Sequence, residues 1–93
     1  MADRLRDKPV ARENKNSGSS SGHFLVLYND EINTFDYVME SLMEVCGHSS
    51  VQAEQCTIIT HYRGQCDVKK GVKKELRSMQ LDLIKKGLKA GID

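Results

Sequence analysis

HFLVLYNDEINTFDYVMESLMEVCG, residues 23–47, changes its hydrophobic period partway along, and that change decides the fold. His23 to Tyr28 is a short run of aromatic, β-branched and aliphatic residues between Gly22 and Asn29, as expected of a strand buried on at least one face. From Phe35 the apolar residues Phe35, Val38, Leu42 and Val45 recur at i, i+3, i+7 and i+10, with Met39 and Cys46 widening the stripe. That is the period of an amphipathic helix. Asn33 or Thr34 caps its start, Asp36 complements its dipole, and Gly47 closes it. Between strand and helix stand Asn29, Asp30 and Glu31, three polar or acidic residues in a row.

Downstream, Ser49 or Ser50 caps a second helix whose stripe includes Val51, Ile58, Ile59 and Tyr62, and Gly64 stops it. Gln65 to Lys70 alternates Cys66 and Val68 with polar residues, a strand with one solvated face that Gly71 breaks. Val72, Leu76, Met79 and Leu83 fall at i, i+4, i+7 and i+11, marking a third helix that ends by Gly87. Leu88 to Ile92 is long enough for a last strand. The order β-α-α-β-α-β predicts an α+β sandwich, three helices packed on a three-stranded antiparallel sheet. Upstream, residues 1–22 contain almost no large apolar side chain and end in a Gly/Ser run, so they are expected to form a disordered tail ahead of one domain over 23–93.

Ninety-three residues allow one core. Fourteen basic against thirteen acidic residues leave no excess charge for coating nucleic acid or anionic lipid. The start lacks the apolar segment of a secretory signal, and no window reaches the roughly 18 to 20 apolar residues of a membrane span, so a cytoplasmic protein is expected. Three cysteines, Cys46, Cys56 and Cys66, are an odd number and are expected to be reduced and partly buried.

Two readings compete for Asn29-Asp30-Glu31. They are a turn with a solvated acid, or a cluster of acceptors for a cation such as an ammonium, which has three donors and no acceptor. Three adjacent oxygen donors without a loop pattern are a weak metal motif. His61, near the end of the second helix, complements the dipole or joins a site through hydrogen bonds. With His48 and the cysteines it makes no Cys-x2-Cys pair, so zinc is not favoured, and no orienting partner stands out for Cys/His nucleophilic chemistry. Neither a metal nor any other cofactor is expected. Lys69 to Arg77 is a basic run across a strand end and a helix start, where cations oppose the dipole. It is either a solvated face or a contact for an acidic partner, and without interleaved aromatics nucleic acid is not favoured.

The stretches LYNDEINTFDYVMESL (27–42) and AEQCTIITHYRG (53–64) resemble the ClpS family, adaptors that present proteins with particular N-terminal residues to a Clp AAA+ unfoldase and its protease. The likeness lies in Asn-Asp-acid after the first strand and in a helix ending His-(Tyr/His)-x-Gly, at an ungapped distance. It implies a non-enzymatic adaptor in which Asn29, Asp30 and His61 bind the free α-amino group of a substrate, with Glu31 adding negative potential at the rim. The wall for the first side chain, a large hydrophobic one, would come from Asn33, Phe35, Met39, Thr57, Thr60 and Leu88. At the positions of Thr57 and Thr60 the family usually has larger or purely apolar residues, and at Phe35 it often has methionine. The partner implied is the N-terminal domain of a ClpA/ClpC-like unfoldase, docked near Lys73, Lys74 and Glu75, with the adaptor itself a monomer. The alternative is a small interaction module of the same fold that does not recognise N-termini.

Overall fold

The structure, a computed structural model, describes residues 22–93, so the tail expected over 1–22 lies, apart from Gly22, outside the described residues. The elements are β1 (His23–Tyr28), α1 (Phe35–Cys46), α2 (Ser50–Arg63), β2 (Gln65–Gly71), α3 (Lys73–Lys85) and β3 (Lys89–Ile92). The sheet order is β2-β1-β3, and both pairings are antiparallel. This is the expected α+β sandwich.

β1 is central, and its side chains alternate. Leu25 and Leu27 join the main core with Cys66 and Val68 of β2, Leu42 and Cys46 of α1, Ala53 and Cys56 of α2, and Leu76 and Leu83 of α3. Phe24 and Val26, on the opposite side of the pleat, are also buried. A β-bulge between Leu25 and Val26 shifts the β1–β2 register, so that Leu25 faces Lys69 while Val26 faces Asp67. β2 runs through Gly71, which pairs with His23 and ends the strand from within. β3 starts at Lys89, one residue later than expected, and Leu88 is buried just ahead of it.

Capping matches local chemistry. Thr34, not Asn33, caps α1 by accepting from the Tyr37 N–H at 3.1 Å, and Ser49, not Ser50, caps α2 by accepting from the Gln52 N–H at 3.1 Å. Gly64 ends α2 at φ 89°, a conformation that costs glycine least, and its carbonyl accepts the Asn29 N–H at 2.9 Å. That bond ties the end of α2 to the segment leaving β1.

The inner face of α2 differs from the expected one. Ala53, Cys56, Thr57 and Thr60 are buried, whereas Val51 is 46% exposed and Tyr62 80%. Small residues bring the helix close to the sheet, and each threonine hydroxyl is satisfied by a carbonyl one turn back: Thr57 donates to Ala53 O at 2.7 Å and Thr60 to Cys56 O at 2.8 Å. Val72 is likewise not a core member of α3. It is the N-cap residue, 40% exposed and with no side-chain cap bond. All three cysteines are free thiols and buried. Among the described residues no helix is long and apolar enough to cross a membrane.

Candidate functional site

The chain leaving β1 turns at Asn29–Asn33 before α1 begins, and Asp30 organises that turn. Its Oδ1 accepts the backbone N–H groups of Ile32 at 2.9 Å and Asn33 at 2.8 Å, and its Oδ2 accepts the Asn33 amide at 3.0 Å. A carboxylate offers about four acceptor positions, so one on Oδ2 stays open. Burial pushes the Asp30 carboxyl up. The Asn33 backbone and side-chain bonds, the Ile32 N–H and the charge of Lys89 push it down and prevail, holding the group ionised below the ordinary carboxylate range.

Asn33 also donates from Nδ2 to Gly87 O at 3.0 Å, spanning from the turn to the segment between α3 and β3. Tyr37 donates its hydroxyl to Lys86 O at 2.7 Å, and Lys86 pairs with Glu44 at 2.7 Å. These three tethers hold residues 86–88 against α1 and the turn, and Leu88 with them.

The elements enclose a cavity of about 350 Å³ lined by Leu27, Tyr28, Asn29, Asp30, Glu31, Asn33, Phe35, Val38, Thr57, Thr60, His61 and Leu88. It lies at the small end of ligand sites, room for one side chain and not for a large cofactor. Nine of the ten residues expected there are in this lining. Met39 is not: it is partly buried against the core cluster. At about 100° per residue, Val38 and Met39 fall on opposite sides of Phe35, and the cavity takes the Val38 side. Leu27, Tyr28 and Val38 were not expected, although the spacing of Val38 three residues after Phe35 carried the signal.

The lining has two characters. Leu27, Phe35, Val38 and Leu88 are apolar, and the protons of Thr57 and Thr60 are committed to α2 carbonyls, so neither threonine has a hydroxyl donor to spare. At the mouth, acceptors gather: the open position on Asp30, the Asn29 amide, whose side chain makes no hydrogen bond among the described residues, the exposed Glu31, and the exposed His61, whose ring meets Tyr62 edge to face at 5.2 Å. Such a site suits a small cationic head on an apolar body. His48 and the cysteines lie apart from it in the core or between elements, and among the described residues no three His, Cys, Asp or Glu side chains are placed to hold a metal. Glu75, Lys73 and Lys74 stand exposed in the first turn of α3, outside the cavity.

Comparison with curated protein sequences gives no match. Among solved structures the fold is similar to that of ClpS2 from Agrobacterium tumefaciens bound to L-phenylalaninamide, with a TM-score of 0.73 and 17% identity over 81% of this chain and 98% of that one. The profile of the family described as "ATP-dependent Clp protease adaptor protein ClpS" matches residues 19–90, most of the chain and all of the cavity. With that match over the strand, the turn and the three helices, the chain belongs to the ClpS family of Clp protease adaptors.

Proposed function

We propose that this adaptor binds the free N-terminal residue of substrate proteins and delivers them to a Clp AAA+ unfoldase, without chemistry of its own. The observation that carries the reading is the open acceptor position of an ionised, immobilised Asp30 carboxylate at the mouth of an apolar cavity of about 350 Å³. An α-ammonium donates three hydrogen bonds, and Asp30, the Asn29 side-chain amide oxygen and the His61 ring offer acceptors for them. Glu31 adds favourable potential. The first side chain enters between Phe35, Val38, Leu27 and Leu88, where Leu, Phe, Tyr or Trp buries apolar area and a polar side chain would go unpaired. L-phenylalaninamide, which ClpS2 of Agrobacterium holds, has the same two parts, an α-amino group and an apolar ring.

Docking to the N-terminal domain of a ClpA/ClpC-like unfoldase falls to α3. Residues 22–68 contain seven acidic and one basic residue, and residues 69–93 contain eight basic and three acidic, so the two portions suit partners of opposite charge. Lys73 and Lys74 sit where they oppose the α3 dipole, a local cost that an acidic partner surface would offset. The adaptor then works as a cytoplasmic monomer, with ATP hydrolysis and peptide cleavage left to its partners.

Calorimetric titration with a peptide beginning with Phe, against the same peptide N-acetylated, tests the reading. A charge-assisted bond at Asp30 predicts roughly 10- to 150-fold weaker binding after acetylation. Equal affinities would leave an interaction module that does not recognise N-termini, and no binding by either peptide would remove the cavity from consideration.

A further inference from the structure

The two most exposed large apolar side chains among the described residues each adjoin, along the chain, residues that line the cavity. Ile32 is 87% exposed and Tyr62 80%, against 50% or less for the others of their kind. Ile32 lies between Glu31 and Asn33, both of which line the cavity, and its N–H is pinned to Asp30 Oδ1 at 2.9 Å, so its Cα is as fixed as the carboxylate. Tyr62 follows His61, also in the lining, and meets that ring edge to face at 5.2 Å and 76°. One residue rides on the turn and the other on the last turn of α2, the two elements that bring the acceptors together.

A single exposed apolar residue needs no explanation, but two this exposed, each next in sequence to residues that line one cavity, invite one. A peptide with its ammonium at Asp30 and its first side chain in the cavity must direct its carbonyl outward, and its second Cα follows about 3.8 Å further on. The second side chain therefore emerges at the rim. We infer that Ile32 and Tyr62 form an open apolar subsite for the second residue of the bound chain, with aliphatic and aromatic side chains preferred over alanine. The inference rests on the N-terminal reading above and adds a second position to it. The exposed Glu31 beside Ile32 sets the subsite against an acidic second residue.

Peptides Phe-Leu-Gly-Ser-Lys and Phe-Ala-Gly-Ser-Lys, titrated against the full chain and against the double variant Ile32→Ser/Tyr62→Ser, test this. Burying part of a leucine side chain predicts roughly three- to tenfold tighter binding of the Phe-Leu peptide, a ratio that falls below about twofold in the double variant. Ile32→Leu should keep the ratio. Equal binding of the two peptides to the native chain, with discrimination against acetylation intact, would overturn the subsite alone, as would a ratio that persists in the double variant. Failure of every free-amine peptide to bind would instead overturn the N-terminal reading, and the subsite with it.

Discussion

Asn33→Ala removes two hydrogen bonds and little else. The lost amide donates to Asp30 Oδ2 at 3.0 Å, partly buried, and to Gly87 O at 3.0 Å, exposed. Net contributions run about 0.5–1.5 kcal/mol for neutral bonds and about 1.5–3 for those to a charge; with both discounted for solvent, roughly 1.5 kcal/mol is at stake. For a folded part of this size that lowers Tm by about 6–12 °C. The Asp30 carboxyl should move up toward the ordinary carboxylate range, because one of the bonds holding it down is gone. Since its folded pKa lies below the unfolded one, Asp30 contributes stability that is present above the unfolded value and lost as pH falls through the folded one. The variant should therefore lose less on acidification than the native chain. Urea unfolding at pH 7 and pH 3, with NMR titration of the Asp30 carboxyl, measures both effects. Asn33→Asp sharpens the test by setting a second carboxylate against Asp30, which should destabilise more at pH 7 and recover at acid pH. A change under about 0.3 kcal/mol in Asn33→Ala with an unmoved Asp30 titration would refute the brace.

Two further outcomes follow from buried and uncapped groups. His48 is 5% exposed, its Nε2 lies 2.7 Å from Val68 O, and its Nδ1 is buried without a partner among the described residues, so burial pushes the imidazole below its ordinary range and the nearby Lys69 adds to this, against the Val68 bond. The unfolded chain takes up the proton first, near pH 6.5, so stability falls as pH drops below that point; His48→Gln should flatten the slope of Tm between pH 7 and 5, and parallel slopes would count against it. Val72→Asp supplies the missing side-chain cap of α3 beside Lys73 and Lys74, losing little burial at a position 40% exposed, and should raise stability by about 1 kcal/mol in urea melts; an unchanged midpoint would show that the first turn is already satisfied.

β1 was legible as an unbroken apolar run between Gly22 and Asn29, and α1 because its apolar side chains keep the 3.6 period. α2 was legible as a helix but not in its orientation. Ile58, Ile59 and Tyr62 carry the hydrophobicity, yet the face that approaches the sheet is Ala53, Cys56, Thr57 and Thr60. A threonine whose proton is spent on the i−4 carbonyl behaves as a small apolar residue, and no hydropathy pattern records that. At the cavity, Asn29-Asp30-Glu31 could be read as adjacent acceptors, but their meeting with His61 and Leu88 came from family resemblance, not from spacing. The Asn33–Gly87 bond joins residues 54 apart and left no local signal. Met39 lies outside the lining, and the helical stripe on either side of Phe35 does not say which flank a cavity will use.

On the proposed N-terminal reading, the turn and the ammonium site at Asp30, which local rules set against each other, are one arrangement. The three bonds that close the turn keep the carboxylate ionised, stop it rotating and leave one acceptor position at the cavity mouth. Its geometry is therefore set within the chain, and an ammonium bound there, as proposed, would not have to supply the ordering energy. The same economy makes truncation of Asp30 a poor probe, since the turn, the Ile32 position and the Asn33 brace would go with the charge. Changing the ligand separates the roles: acetylation removes the positive charge and two donors while every bond within the turn survives. A loss of affinity on acetylation is then attributable to the open position on Asp30 and its neighbours, and not to a collapsed loop.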